Sequence, residues 1–306
     1  VYAYIIRRLF SAVIVLFGIS VVTFLLVYAI PADPARMIAG PKAPHSVVVT
    51  IRHQLGLDQP LPLQYIHYVG RLLHGDLGTS YTFNLPVTTM ILQRLWPTAE
   101  LALGCWLAEL IIGIPLGIYT ARHARRLGDY MVSALALIGI SLPVFWLGLL
   151  LLYWFGFQIP IFPLGGFGGF RYLILPSITY GITGAAYYTR LLKSSMLEVM
   201  QQDYVRTARA KGAGEARVTF RHVVRNALIP VVTFGGIDFS YLLTGVVLIE
   251  ATFNWNGLGE LAYTAIPNLD VPVIMGTVLL VAVAVVVFNL IVDILYSIID
   301  PRIRYS

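Results

Sequence analysis

The sequence predicts an all-α integral membrane protein with about six transmembrane helices and both termini in the cytoplasm. Three observations predict it: apolar runs of spanning length, no period-two alternation within them, and basic residues crowded into alternate loops. Crossing roughly 30 Å of hydrocarbon takes about 20 helical residues. Six runs are long enough: Leu9–Ile30, Ala99–Thr120, Met131–Phe157, Tyr172–Leu192, Pro230–Phe253 and Val271–Ile299. The fourth, rich in Gly, Thr and Tyr, is the least apolar. Membrane strands would alternate and close into a barrel, so helices are the spanning element. Only 12% of residues are charged and mean hydropathy is +0.79, against about 25% charged in soluble domains; lipid is the main solvent. The first run exceeds a signal-peptide core, and Pro31-Ala32-Asp33-Pro34 after it offers no small-residue cleavage site, so it is expected to remain as a span.

Lys and Arg in short loops stay in the cytoplasm. With the N-terminus inside, fifteen of the 21 basic residues fall on that side, eight of them between Arg190 and Arg225. Outside are Arg36, Lys42, Arg52, Arg71 and Arg94 in the long first loop, and Arg171 as the one basic residue in the short outer loops. The net charge of +6 is therefore read as topology and contact with anionic lipid, with no nucleic acid as partner. The single cysteine, Cys105, lies inside a run and permits neither a disulfide framework nor a cysteine metal site within the chain.

The chain reads as one transmembrane domain over 1–306 with two interruptions. The outer one, 31–96, carries an amphipathic helix candidate at Leu63–His74 with Tyr65, Val69 and Leu72 on one face, which predicts an ordered cap. The inner one spans 193–230. Asp203 is expected to cap a helix over Tyr204–Lys211 and Gly212 to end it, with Glu215 opening a second helix that stops near Leu228, before Pro230. Arg206, Arg209 and Lys211 lie along the first helix beside small Ala208 and Ala210. Charge alone leaves a docking element and a basic loop on lipid headgroups equally open.

Tyr204-Val205-Arg206-Thr207-Ala208-Arg209-Ala210-Lys211-Gly212, followed by Arg225-Asn226-Ala227-Leu228-Ile229-Pro230, resembles the coupling loop of ABC importer permeases in the dipeptide/oligopeptide/nickel group. Arg206-Thr207-Ala208 stands where the general pattern has Glu-Ala-Ala. Tyr4–Leu9, Leu55–Pro60, His74–Gly78, Phe253–Gly259 and Asp300–Tyr305 are similar to that group's first permease subunit. Ala32 and Asn256 depart from its usual Gly and Pro. The resemblance implies a type I importer permease fold and a heterodimer with a second, homologous permease. It further implies two cytoplasmic ATPase subunits and an extracytoplasmic peptide-binding protein. Asp203, Tyr204, Arg206, Thr207, Ala208, Arg209, Ala210, Lys211, Gly212 and Glu215 become the expected ATPase-coupling residues. The chain contains no Gly-Lys dipeptide, hence no phosphate loop; it is not expected to be an enzyme or to hold a cofactor, and ATP and Mg²⁺ are expected on the partner ATPases. Expected cargo is di- or oligopeptides, with glutathione or nickel complexes as the alternative within the family.

Acidic residues inside spans tend to face a cavity or a partner, since a buried charge costs about 2.5–3.5 kcal/mol on insertion scales. Glu109 lies near Gly104, Gly113, Pro115 and Gly117; Asp238 follows Gly235 and Gly236 in a span resembling a pathway-lining one. Both are pathway candidates. Asp293 is expected to make a structural hydrogen bond, and Glu100 and Glu250 to sit near the outer ends and snorkel. Thr179, Gly181 and Gly184 suit close helix packing, and Tyr153, Trp154, Trp255 and Tyr296 an interfacial belt. All six histidines fall in loops and no Ser–Lys pair lies in a span, which argues against an intramembrane hydrolase and leaves no catalytic or metal residue to assign. An ATP-independent secondary transporter would leave Asp203–Pro230 unexplained.

Overall fold

The computed structural model describes residues 2–29, 33–40, 42–54 and 56–299, whose regular structure is helical, with one isolated bridge at Thr79 and Pro86 in place of any strand. The helices are α1 (Tyr2–Ala29), α2 (Pro34–Ala39), α3 (His45–Gln54), α4 (Leu61–Leu73), α5 (Val87–Arg122), α6 (Leu127–Ser141), α7 (Val144–Leu152), α8 (Phe170–Val199), α9 (Asp203–Ala210), α10 (Glu215–Arg217), α11 (Arg225–Gly245), α12 (Val247–Phe253), α13 (Leu258–Ala265) and α14 (Val271–Ile299). Wide π-helical turns follow α7 at Tyr153–Gln158 and α10 at Val218–Val224. The chain divides into two compact units, Val1–Thr98 with Asn256–Ser306, and Ala99–Trp255. The Asp300–Tyr305 segment and the side chains of Asp293 and Tyr296 lie outside the described residues.

The expected spans recur with three corrections. The third is two helices, α6 and α7, bent by 100°. Pro143 disfavours the α conformation in the residue before it, and Leu142 is accordingly extended, with φ −79° and ψ 133°. The fifth does not begin at Pro230: the helical backbone runs through that proline within α11, then breaks at Val246 before α12. The fourth, α8, lacks the hydropathy of the others because its neighbours are protein. Its 30 residues reach about 45 Å, and Ser177, Thr179, Gly181, Thr183, Gly184 and Thr189 are all buried. Two of its buried hydroxyls bond backwards to carbonyls one turn earlier, Thr179 Oγ1 to Leu175 O at 2.8 Å and Thr189 Oγ1 to Ala185 O at 2.8 Å, whereas Ser177 Oγ meets no hydrogen-bond partner among the described residues.

In the first unit α1 runs along α14 and α13 packs on α14. In the stretch 31–96 the described residues form α2, α3 and α4. Tyr65 of α4 hydrogen-bonds Ser20 at 2.8 Å and stacks edge-on against Phe24 at 5.2 Å, tying the cap helix to a span. Asp33 accepts from Ala35 N at 3.1 Å as the N-cap of α2 and pairs with Arg52 of α3 at 2.5 Å. The turn before α5 is wrapped around one buried carboxylate. Asp270 accepts from Ser80 Oγ at 2.5 Å, Tyr81 N at 3.1 Å and Thr82 N at 3.1 Å. Burial pushes the Tyr81 phenol up to about 12, with the Asp270 charge adding to the effect. Asp270→Ala strands three donors. At about 1–3 kcal/mol for an unmet buried group, limited proteolysis is expected to cut this turn at least tenfold faster, and an unchanged cleavage rate would count against the arrangement.

Candidate functional site

The segment between α8 and α11 is built around a single apolar anchor. Val205 is the one fully buried side chain of α9, packed in a cluster with Leu192, Met196, Val218, Val223 and Ala227. One residue on either side, Tyr204 and Arg206 are exposed; so are Asp203, Thr207, Arg209, Ala210, Lys211, Gly212 and Glu215, while Ala208 is partly buried. An eight-residue helix is too short to be stable alone, so tertiary packing through Val205 and good termini must hold it. At its C-terminal end Gly212 adopts φ +80°, its N–H bonds Arg209 O at 2.9 Å, and Ala213 N bonds Ala208 O at 3.2 Å. This is a Schellman closure, in which glycine carries no penalty for the left-handed conformation.

The other end differs from the sequence expectation. Gln202 is the N-cap, with extended dihedrals of −68° and 147°, and Asp203 lies inside the first turn. There its negative charge still complements the helix dipole, and its backbone carbonyl accepts from Thr207 Oγ1 at 2.9 Å. Arg209 grips Glu215 with Nε at 2.8 Å and a second nitrogen at 3.4 Å, which joins α9 to α10 across the turn. Asn226 donates to Tyr204 Oη at 2.9 Å, fixing that ring against α11. Arg206 keeps only a loose 3.7 Å contact with Asp203 and is largely exposed. The result is a short helix with its back anchored and a polar, cationic face presented outward. Such a face suits a protein groove that offers acidic groups and carbonyl oxygens.

Upstream, Lys193 at the end of α8 pairs with the buried Asp129 in the first turn of α6, whose carboxylate also accepts from Arg125 N at 3.0 Å. This holds the start of α6 against the helix that feeds the cytoplasmic segment.

Glu109 and Asp238 are brought together. The two carboxyls are near neighbours across the helices that carry them. Glu109 is 1% exposed and its Oε2 meets no protein donor among the described residues. Asp238 Oδ2 accepts from Tyr188 Oη at 2.7 Å, and Tyr188 Oη accepts from Trp106 Nε1 at 3.2 Å. Sequence reasoning missed Tyr188 and Trp106. The available signal was a tyrosine one turn after Gly184, on the same helical face as the contact with Glu109.

The glycines around this cluster are dictated by helix proximity. A Cβ on Gly184 would overlap the Glu109 carboxyl; one on Gly113 would stand 2.7 Å from Tyr188 Cβ and 2.8 Å from Ala185 O; one on Gly181 would stand 2.6 Å from Ala108 Cβ. With Gly117 against Leu192, these contacts form a ladder along the facing stretches of α5 and α8. Two expectations are corrected. Glu250 is buried, and Trp255 is fully buried with Phe167 edge-on at 5.0 Å; it belongs to the core of its unit and not to an interfacial belt.

Two family models match the chain: the binding-protein-dependent transport system inner membrane component over residues 113–305, and the N-terminal membrane component of the same system over residues 1–102. The glutathione transport system permease proteins GsiC of Salmonella typhimurium and of Escherichia coli K12 are each 42% identical over 303 residues, covering 99% of both chains. Among solved structures, an inward-facing form of the MetNI methionine ABC transporter superposes with a TM-score of 0.58 over 69% of this chain and 96% of that one, at 18% identity. A second form gives 0.51 over 67% and 95%. These matches carry the fold.

Proposed function

Because the chain belongs to the family of binding-protein-dependent transport system inner membrane components, and is thus a multi-pass permease subunit of an ABC importer, we propose that it forms half of a pathway for peptides and couples that pathway to partner ATPases through α9. The observation that supports coupling is the anchored helix: Val205 fastens it while Tyr204, Arg206, Thr207, Arg209, Ala210, Lys211, Gly212 and Glu215 remain exposed for a partner. ATP and Mg²⁺ are assigned to those partners, a second homologous permease to the other half of the pathway, and cargo delivery to an extracytoplasmic binding protein. Glutathione, itself a tripeptide, is the first cargo to test because it appears in the name of relatives 42% identical to this chain. Glu109 and Asp238 are assigned to the wall of the pathway, where neighbouring acids offer polar atoms to a polar solute.

The test uses proteoliposomes holding the complete complex with its binding protein. Internal ATP is expected to drive accumulation of glutathione or of a dipeptide, and Asp238→Ala to lower the initial rate at least tenfold while the complex elutes as before. Uptake that persists without ATP, or with the ATPase subunits left out, contradicts the reading. A wild-type rate in Asp238→Ala demotes that residue to packing.

A further inference from the structure

The unit of Val1–Thr98 and Asn256–Ser306 contains a cavity of about 610 Å³, within the roughly 300–1,000 Å³ typical of small-molecule sites. Its walls come from α1, the cap helices, the turn around Asp270 and the first turns of α14. Phe24, Ile38, Leu57 and Met275 make part of the lining apolar. The polar part is unevenly satisfied. Tyr68 Oη and Gln59 Oε1 are buried and bond to no protein group. Native interiors leave few such atoms unmet.

The charges in the wall point the same way. Arg71 has neither an ion pair nor a side-chain hydrogen bond among the described residues, and it lines the same cavity as Tyr68 and Tyr81. His53 and His67 are its other basic members. The one acid of the wall, Asp76, is turned to its own backbone and accepts from Gly78 N at 2.8 Å. His53 is drawn away, 3.8 Å from Asp58. A guanidinium without a carboxylate, next to a phenol and an amide oxygen without partners, lacks one anionic oxygen and one N–H donor.

We propose that this cavity is a ligand site of the permease chain itself, taking a small peptide-like solute whose carboxylate meets Arg71, whose N–H meets Gln59 and whose apolar body lies along Phe24 and Met275. Guanidinium is suited to this because it offers carboxylate a forked pair of donors. The site lies wholly within one unit, on the side that loop charges place outside. It stands whichever cargo the complex moves and whether or not α9 couples an ATPase.

The test takes the full chain in nanodiscs of phosphatidylcholine, without binding protein, and measures Leu-Leu by equilibrium dialysis. Saturable binding at one per chain is expected. Leu-Leu amide, which lacks the carboxylate, and Arg71→Gln are each expected to weaken it at least tenfold, about 1.4 kcal/mol. Arg94→Gln, which breaks a pair with Glu260 elsewhere, is expected to leave it unchanged. Absence of saturable binding, or equal affinity in Arg71→Gln, overturns the proposal. Should Arg71→Gln elute abnormally, Tyr68→Phe decides: a loss of threefold or more supports the site and unchanged affinity overturns it. A lipid headgroup offers related anionic chemistry. Retention of phosphatidylglycerol in native mass spectra, lost in Arg71→Gln and excluding Leu-Leu, would assign the cavity to lipid and overturn the solute reading.

Discussion

Reversing charge at Arg206 and Arg209 together is expected to leave the chain assembled in the membrane and to cut ATP-driven uptake at least tenfold, while the complex continues to hydrolyse ATP. Both guanidinium groups stand on the exposed side of α9, and Val205, which anchors the helix, is untouched. One local effect needs separating from the partner's response. Arg209→Glu places an acid against Glu215, which Arg209 normally holds at 2.8 Å. A triple variant that adds Glu215→Arg restores the local pair with its polarity exchanged. If uptake then returns, the pair's role is internal; if uptake stays low, the outward charge is what a partner reads. Gly212→Leu probes the same element through the backbone alone. Its Cβ would meet nothing within 4 Å, but φ is +80°, and the left-handed conformation costs a side-chain-bearing residue about 1–2 kcal/mol. Simultaneous measurement of phosphate release and uptake distinguishes uncoupling from loss of the complex. Normal uptake by both variants would falsify the coupling assignment.

Gly113→Leu should act oppositely, removing the assembled protein and not merely its activity. Its Cβ would press on Ala185 O at 2.8 Å, a backbone atom that cannot rotate aside, and on Tyr188 Cβ at 2.7 Å. Overpacking in well-filled cores costs about 1–3 kcal/mol, and here the shift would also carry Tyr188 away from Asp238. Fluorescence-detected size-exclusion after mild detergent extraction is expected to show the monodisperse peak reduced several-fold. Gly18→Leu is the matched control: it too lies in a membrane helix, but its Cβ meets nothing within 4 Å. Equal behaviour of the two variants would remove helix proximity as the reason for Gly113.

Much of this molecule was readable because lipid simplifies the code. Length and hydropathy located α1, α5, α11 and α14, since a helix facing hydrocarbon must be apolar outside. The same rule weakened at α8, whose neighbours are protein, so Thr and Gly serve it as well as Leu. The bend at Pro143 was visible as a proline but not as a 100° turn, because direction depends on what the two halves pack against. Pro230 misled for a related reason. Its missing N–H forbids only one helical bond, and tertiary packing carried the helix past it. At the candidate site, Gly212 was legible since a φ of +80° selects glycine. Gln202 as N-cap was not, because Asp203 beside it satisfies the same local preference. The Glu109–Asp238 contact joins residues far apart in sequence, and nothing local to either announces its partner or Tyr188. Asp270 was equally silent, being an ordinary acid at the start of a span until the turn at Ser80–Thr82 closes on it.

The helical backbone that begins at Glu215 continues without a connecting loop to Leu243, 29 residues along. At 1.5 Å per residue this is about 44 Å of nearly rigid rod. Mechanically it is a lever with one end at the turn that follows α9 and the other near the break at Val246. Tilting it by 5° sweeps its tip through about 4 Å by the same geometry, a distance comparable to the width of a small side chain. A loop at Pro230 would have taken up such a displacement as slack. In an unbroken rod the same tilt would displace Asp238, which lies 23 residues beyond Glu215 on it.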